Sequence, residues 1–534
     1  MAQKKTYSFL NKNRWIAVLL MLSAAGIVLG CWGFGEQGCC VSNSLYETLR
    51  LFFLNFSFRD YEMSWQLQWA RWLILSAFLW ATFRLFVEII APQFLENLKI
   101  KLVYRKHVII CGLNRITANL VEKLGEKQIL ILAEETNQYA EILKTKGVKL
   151  LVGDFSDESF WKRAKLGSAS KLYAITDHDK TNVKIAQSVF SYLESGKMEN
   201  DTLRCFVLIE DRKLKTILEE SVLFKYKTDF FDSILFNINE MGVKYGIAMN
   251  IDKILPAKMT TPPEILLVGF TEKTEMALLN LAHCLTMQRK PFRFTIAEND
   301  AGKIRAFEKQ CRKLPLRDFA EIEISDDDME KICTKKTFAS ILVCVENPTD
   351  AIKQSVEIHY LLGKSAPNIL LLCDDVDTFN TVLKEELEKK KIFPINLFGQ
   401  IAGYVFDLDK NIEEKAKEAH NFWNTLYNQN KAWDEMTGHF KQSNRNQILE
   451  NYLKMYIARG EKFEDFKPRT DSFSDDEKET LAMMEHRRWT LEKLDNGWIF
   501  GERDNDFKRH NCLIPWEKLP KEERAKDYNV IYGI

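Results

Sequence analysis

The segment His107–Leu124 reads HVIICGLNRITANLVEKL and sets the fold of the chain around it. A short apolar run leads into a glycine turn at Gly112, and the residues after the turn have helical periodicity. Further short apolar runs follow and alternate with amphipathic helical segments. This alternation is typical of the strands and crossover helices of a parallel sheet. Residues 107–255 are therefore predicted to form a Rossmann-like α/β lobe.

A second copy of this pattern begins at Glu264 with EILLVGFTEKTEMALLNLAHCL. Gly269 repeats the turn glycine of the first copy, 157 residues later. Three more apolar runs follow, and each leads into a helix or a loop. We therefore predict a second Rossmann-like lobe over residues 262–410.

The dinucleotide fingerprint G-x-G-x-x-G is degraded in both copies. In the first copy Asn114 and Thr117 replace the two later glycines, and in the second copy two threonines do so. The second glycine lets the backbone approach a pyrophosphate, and the side chain of Asn114 would occupy that space. The acidic residue expected after the second strand is Glu134 or Glu135. The sequence thus supports NAD only weakly and favours a structural lobe or a different ligand.

The first lobe resembles the RCK (TrkA-N) domain, a cytosolic nucleotide- or ion-sensing module that regulates potassium channels and transporters. The resemblance rests on Gly112, on Gly153–Asp154 after the third strand and on Asp177–Asn182 after the fourth. The segment 230–249 resembles the helix with which that family leaves one lobe and pairs with a neighbour. Tandem lobes of this family imply a homotetramer, with eight lobes in a ring beneath a pore. The nucleotide-binding residues that the resemblance implies are Gly112, Asn114, Glu134, Asp154, Asp177 and Gly269.

Two apolar stretches near the N-terminus predict a membrane domain over residues 1–100. Residues 15–32 carry no charge and approach the roughly 20 residues that cross a bilayer. Residues 72–91 form a second candidate span, and this second span argues against a cleaved signal peptide. Four basic residues precede the first span and four follow the second. By the positive-inside rule both termini lie in the cytosol, with the spans in the cell's inner (plasma) membrane.

The segment between the spans, Leu45–Phe58, is too short to cross and suits a re-entrant helix. Helix, re-entrant helix, helix is the layout of two-span potassium-type channel subunits. The segment where their filter would lie, Asn55–Asp60, contains no glycine, so weak or unusual ion selectivity is expected. An interfacial amphipathic helix is the alternative. The candidate pore residues are Asn55, Phe56, Ser57, Phe58, Arg84 and Glu88. Arg84 and Glu88 could equally be a snorkelling ion pair.

Past a helical connector at 411–470, which ends in a hinge, Ser474–Glu477 has the form of a capping box. The motifs HRRW, GWIFG and CLIPWEKLP then follow at 486, 497 and 512. They resemble the RyR domain, a small helical repeat named for ryanodine receptors and also found in bacterial proteins. The domain is placed at 471–534. The family often has proline where this chain has Asn511.

Cationic and aromatic side chains interleave in this C-terminal module. Arginine forks bind phosphates and indole rings stack on bases, so the pattern favours a nucleotide ligand. The candidate ligand-binding residues are His486, Arg487, Arg488, Trp498, Arg503 and Arg509. The alternative is that Trp489 and Trp516 form the core of the module and that the arginines form a solvated face.

Composition excludes several functional classes. Lys+Arg and Asp+Glu both number 75, so no general affinity for nucleic acid is expected. The eleven cysteines form no C-x-x-C pair, no H-E-x-x-H is present, and no metal site is predicted. P-loop, G-x-S-x-G and kinase signatures are missing, and a dehydrogenase would need an intact glycine turn. We therefore do not expect an enzyme.

The predicted fold class is a membrane α-helical domain of two spans plus a re-entrant helix, followed by tandem α/β RCK-like lobes and a small α-helical RyR-like domain. The predicted function is a ligand-gated ion channel in the cell membrane. Its trigger would be a small cytosolic ligand, a signalling nucleotide, and the resemblance suggests a role in stress or phage defence. The alternative is a non-conducting, membrane-anchored nucleotide sensor that signals through a partner.

Overall fold

The computed structural model describes residues 2–52, 64–86, 104–125, 128–197, 202–374, 377–404, 410–462 and 473–532. These residues form two compact units, Met1–Tyr104 and Arg105–Ile534. The candidate pore residues Asn55, Phe56, Ser57, Phe58 and Glu88 lie outside the described residues, as does the predicted hinge at 467–471.

The first unit consists of helices α1 (Ala2–Glu36), α2 (Val41–Phe52) and α3 (Trp65–Leu85). Helices α1 and α3 run antiparallel, and glycines of α1 allow their backbones to approach closely. A Cβ atom on Gly26 would lie 2.7 Å from Ile74, and one on Gly33 would lie 2.7 Å from Leu67. Many apolar side chains on the outer faces of both helices are exposed.

One described helical segment, Val18–Glu36, is long and apolar enough to cross a membrane, as judged by length and composition. It overlaps the first predicted span. The second predicted span is not confirmed by the same criterion. The described part of this second span lies in α3, where tryptophan, glutamine and arginine residues lower the mean hydropathy. Residues 87–91 of the span are outside the described part of the chain.

The second unit begins with a six-stranded parallel sheet in the order β3-β2-β1-β4-β5-β6. Its inner strands, such as β1 and β2, are buried on both faces because helices cover both sides, which explains their continuous apolar sequences, whereas the edge strand β3 is partly exposed. The strands are β1 (Val108–Cys111), β2 (Ile129–Ala133), β3 (Lys149–Val152), β4 (Lys171–Ala174), β5 (Leu203–Leu208) and β6 (Phe231–Phe236). The helices are α4 (Arg115–Leu124), α5 (Gln138–Thr145), α6 (Glu158–Arg163), α7 (Asp179–Glu194), α8 (Arg212–Glu219) and α9 (Val222–Lys225).

The second sheet repeats this topology, with strand order β12-β11-β10-β7-β8-β9, again all parallel. The predicted tandem of Rossmann-like lobes is therefore confirmed. Its strands are β7 (Glu264–Val268), β8 (Arg293–Ala297), β9 (Glu321–Ser325), β10 (Ser340–Val343), β11 (Asn368–Cys373) and β12 (Ile392–Asn396). Its helices are α12 (Glu272–Leu281), α13 (Ala301–Cys311), α14 (Met329–Lys335), α15 (Pro348–Leu362), α16 (Asp377–Lys389) and α17 (Leu397–Tyr404).

Two helices, α10 (Ile238–Met249) and α11 (Ile251–Ile254), connect the lobes. The segment 230–249, expected to be one helix, begins as a strand, because Phe231–Phe236 pair with β5 as the sixth strand, and only the rest of the segment is helical. Helix α10 then leaves the first lobe and packs on the second. A Cβ atom on Gly242 would lie 2.9 Å from Leu397, so glycine is required for this close approach.

The C-terminal module follows the second lobe. It contains α18 (Lys410–Leu426), α19 (Gly438–Arg459), α20 (Asp475–Asp495), β13 (Ile499–Phe500), β14 (Arg509–His510) and α21 (Lys521–Tyr532). The predicted capping box at the start of α20 is confirmed, since Ser474 and Glu477 each accept a hydrogen bond from the other's backbone amide. One buried apolar core runs from the first lobe through the second lobe into this module and includes Trp516. The three parts therefore pack as one body.

Candidate functional site

The crevice of the first lobe lies between β1 and β4, where the strand order reverses. Asn114 sits there in an extended conformation (φ −142°) rather than at a positive φ, and it caps helix α4. Its side-chain NH2 donates to the carbonyl of Ile175 (2.7 Å) and to Asp177 (2.8 Å), and its oxygen accepts from the amide of Thr117 (3.0 Å). This side chain thus satisfies the helix terminus that would otherwise face a pyrophosphate.

The structure brings Gly112, Asn114 and Asp177 together but leaves the other predicted residues of the first lobe at its surface. Gly112 has a φ of +127°, and a Cβ atom there would lie 2.8 Å from the Ile175 carbonyl oxygen. Glu134 and Asp154 follow β2 and β3 and are exposed. The pKa of Asp154 is lowered, chiefly because it accepts a hydrogen bond from the Ser156 amide.

The equivalent crevice of the second lobe opens into a cavity of about 640 Å³ that is lined by Gly269. Glu298, at the end of β8, accepts hydrogen bonds from the amides of Phe270 (2.8 Å) and Asp300 (3.0 Å). Lys303 is the one cation among the described lining residues, and seven carboxylates, including Glu298, share the wall with it. The other acidic lining residues are Asp326, Asp327, Asp328, Glu346, Asp350 and Glu357. Such a wall repels phosphate groups, so this crevice is poorly suited to a nucleotide.

A larger cavity of about 730 Å³, here called the C-terminal cavity, lies among α18, α19, α20, α21 and the loop before β14. Three of the predicted ligand-binding residues line it, namely His486, Arg488 and Arg503. Trp498 does not line the cavity, but the ammonium of the lining residue Lys493 lies 4.3 Å from its ring centroid. Arg509 is exposed on β14.

Arg487 points toward the second lobe instead. Its guanidinium donates to the carbonyls of His283 (2.9 Å) and Ala282 (3.1 Å), just past the C-terminal end of α12, and to the carbonyl of Phe319, just before β9. Burial lowers the pKa of Arg487 to about 10. This residue attaches the C-terminal module to the second lobe.

Arg488 and Glu485 belong to a buried ion network at the floor of the cavity. Arg488 donates to Glu485 (2.7 Å) and to Glu492, and Lys454 from α19 pairs with Glu485. Burial by itself would raise the pKa of Glu485, but the charges of Arg488 and Lys454 hold it well below its ordinary value. The Nε2 atom of His486 is hydrogen-bonded to the carbonyl oxygen of Ile514 (2.8 Å), and its Nδ1 atom lies 3.4 Å from a carboxylate oxygen of Asp527.

The wall of the cavity carries cations that lack counter-ions. Among the described residues no carboxylate lies within 4 Å of the charged groups of Lys431, Lys493 or Arg503. Desolvation and neighbouring cations lower the pKa of Lys493, and desolvation, Arg503 and Lys493 lower the pKa of His510 to about 4. An anionic ligand in the cavity would pair with these cations and offset the cost of their burial.

Aromatic rings complete the cavity. Trp423 and Tyr427 of α18 stack with centroids 4.5 Å apart, and Phe440 and the half-buried Trp489 line other parts of the wall. Sequence reasoning missed Trp423, Tyr427, Lys431 and Phe440, because they lie in the segment that we expected to be only a connector. The spacing of Trp423 and Tyr427, four residues apart on a polar helix, was the available signal.

Comparison with known protein families supports both parts of the resemblance. Residues 108–223 match the model of the TrkA-N domain, and residues 471–534 match the model of the RyR domain. The chain thus carries a TrkA-N domain in its first lobe and a RyR domain at its C-terminal end.

Solved structures give more distant likenesses. A crystal structure of GsuK bound to ADP is 14% identical, with a TM-score of 0.41, covering 74% of this chain and 96% of that one. The GsuK channel bound to NAD is 13% identical, with a TM-score of 0.41, covering 75% and 84%. A shikimate dehydrogenase in complex with NADP+ is 12% identical, with a TM-score of 0.27, covering 65% and 96%. At these values the likenesses carry no argument about function.

Proposed function

We propose that this protein is a ligand-gated ion channel of the cell membrane, and that a cytosolic nucleotide bound in the C-terminal cavity is its trigger. The observation that carries the proposal is the cavity itself. Lys431, Lys493 and Arg503 have no carboxylate partner among the described residues, and aromatic rings stand beside them. Cations without counter-ions bind phosphates, and exposed ring faces stack on bases.

The N-terminal unit supplies the membrane part of the proposal. Its segment Val18–Glu36 has the length and composition of a span, and glycine-mediated packing of α1 on α3 suits helices in lipid. In this proposal α3 returns across the plasma membrane, both termini are cytosolic, and four chains surround the pore. Arg84 would then lie on the cytosolic half of the inner helix.

Helix α20 provides the route from the cavity to the lobes. Arg488 of this helix lies at the cavity floor, and Arg487 donates hydrogen bonds to backbone carbonyls of the second lobe. The last residue of the helix, Asp495, forms an ion pair with Arg212 of the first lobe. Arg212 also lies 4.0 Å from Glu272 and from Glu275 of α12. We call Arg212, Glu272, Glu275 and Asp495 the ionic junction. Any shift of α20 on binding reaches both lobes through these contacts.

The energy for gating comes from a difference in ligand affinity between two arrangements of α20, because a ligand that binds both equally shifts no equilibrium. No enzymatic step is part of the proposal. The second candidate is a non-conducting, membrane-anchored nucleotide sensor. It is favoured because only one segment among the described residues, Val18–Glu36, has the length and composition of a membrane span.

The deciding experiment is ion flux from liposomes that contain the purified full-length protein, with and without a panel of nucleotides. We expect flux that appears with a nucleotide and disappears when Lys493 and Arg503 are both replaced by methionine. Nucleotide binding by calorimetry without flux would favour the anchored sensor. Flux that the double variant leaves unchanged would contradict the assignment of the C-terminal cavity.

A further inference from the structure

We propose that the C-terminal cavity takes a two-ended nucleotide, in which two ring systems are joined through phosphates. The inference rests on the function proposed above, since it names the ligand class of the same cavity. Aromatic and cationic groups follow one another along the cavity wall in an order that suits such a ligand.

The first ring site is on α18. Trp423 and Tyr427 stack at 4.5 Å with an interplanar angle of 24°, and both are half-buried. The hydroxyl of Tyr427 accepts a hydrogen bond from Asn529 (3.0 Å), which fixes this ring against α21. A stacked, partly exposed aromatic pair offers a preformed face to a base.

The second ring site is on α20, where Trp489 lines the cavity. The His510 ring meets Trp489 edge-on, with centroids 4.9 Å apart, and the His486 ring lies 6.0 Å away. These histidines hold the indole in place and leave it half-buried on the cavity wall. The two sites come from different helices, and among the described residues no ring contact joins Trp489 to Trp423 or Tyr427.

Contacts place the cations between the two sites. Asn424, next to Trp423 in the chain, donates to the backbone carbonyl of Lys431 (2.8 Å). The Lys431 ammonium lies 5.7 Å from the centroid of Phe440, and the Lys493 ammonium lies 5.9 Å from the same ring. Lys493 follows Trp489 by four residues and so shares its helix face.

The resulting order along the wall is the α18 ring site, Lys431, the Phe440 ring, Lys493 and the α20 ring site. It matches a molecule in which phosphates connect two ring systems, whereas a mononucleotide would leave one ring site and one ammonium unused. The volume of about 730 Å³ falls within the usual range for small-molecule sites and leaves room for the larger ligand.

The test is calorimetry on the full-length protein in detergent, with ADP, diadenosine diphosphate and cyclic di-AMP as probes. We expect at least one of the two-ring probes to bind about tenfold or more tightly than ADP, because each stacked base contributes separately. Trp423→Ala and Trp489→Leu should each weaken binding of that probe about tenfold. Binding of ADP, which has one base, should be weakened by only one of these two substitutions. Phe422→Ala is the matched control, since Phe422 neighbours Trp423 but is not on the cavity wall.

Trp423 lies on a half-exposed helix face, so its variant should keep the fold, and circular dichroism checks this for both variants. ADP binding as tightly as both two-ring probes, with Trp423→Ala without effect, would overturn the two-ended ligand and leave the proposed trigger cavity intact. Wild-type protein that binds none of the probes would contradict the proposed function as well.

Discussion

At the scale of single residues, the C-terminal cavity is distinguished by charge that the protein leaves unneutralised. Most of its ionic neighbours are paired, as Arg488 is with Glu485 and as Lys526 is with Glu523. Lys493 instead faces Phe440 and Trp498, and burial above all, with the neighbouring cations, lowers its pKa although Glu492 opposes the shift. A cation held in this way costs stability until an anion binds, which is typical of a ligand site.

Replacing Lys493 by methionine should weaken nucleotide binding by about tenfold or more, because a charge-assisted hydrogen bond to phosphate is lost. Titration calorimetry on the full-length protein measures this. Lys493→Arg should keep most of the affinity. Lys518→Met, which removes an exposed lysine of the same domain outside the cavity, should leave binding unchanged. Equal losses in the Lys493 and Lys518 variants would contradict a specific phosphate contact.

Lys493 also fixes the sign of the pH dependence of nucleotide binding. Its pKa is below the ordinary 10.5 in the free protein, and a bound anion raises it, so binding is accompanied by proton uptake above the free pKa. Affinity should therefore fall as pH rises through that lowered pKa, on the alkaline side. The Lys493→Arg variant, which stays charged, should not show this fall.

At the scale of elements, α20 organises the C-terminal half of the chain. One of its faces forms the cavity floor through Arg488, while Arg487, the preceding residue, points into the second lobe. Consecutive helix residues project about 100° apart, so Arg487 and Arg488 can contact two different surfaces. The motif HRRW thus supplies both a cavity wall and an attachment to the second lobe.

Arg487→Ala should destabilise the contact between the C-terminal module and the second lobe. It leaves the carbonyls of Ala282, His283 and Phe319 without their guanidinium donor, at a cost on the order of 3 kcal/mol. Thermal unfolding and limited proteolysis of the full-length protein measure the effect. Arg487→Lys should recover only part of it, because an ammonium lacks the planar fork. The exposed Arg509→Ala is the control, and an equal loss there would contradict the assignment.

At the scale of the whole molecule, the two lobes and the C-terminal module share one core and meet at the ionic junction. Arg212 comes from the first lobe, Glu272 and Glu275 from the second, and Asp495 from α20. Burial by itself would lower the pKa of Arg212. The carboxylates around it, Asp495 above all, outweigh burial and raise that pKa, so Arg212 stays charged. We expect a cation shared by three parts in this way to couple movement of one part to the others.

Asp495→Asn should interrupt this transmission without unfolding the protein, because Arg212 keeps Glu272 and Glu275 as neighbours. In hydrogen exchange on the wild type, nucleotide should change the protection of both α20 and α8. In the variant the change at α20 should remain and the change at α8 should disappear. Asp506→Asn, at an exposed carboxylate, serves as the control. A preserved response at α8 would show that coupling takes another route.

The sequence by itself determined the tandem lobes, the glycine turns and the capping box of α20, because periodicity, positive φ and helix capping are local properties of the chain. Local sequence also identified the RyR domain and three of the residues that line its cavity. Only the tertiary structure decided that Arg487 faces the second lobe, that Asn114 closes the first crevice, and that α18 contributes Trp423 to the cavity. These outcomes depend on contacts between residues far apart in the chain, and no local pattern encodes which helix face meets which neighbour.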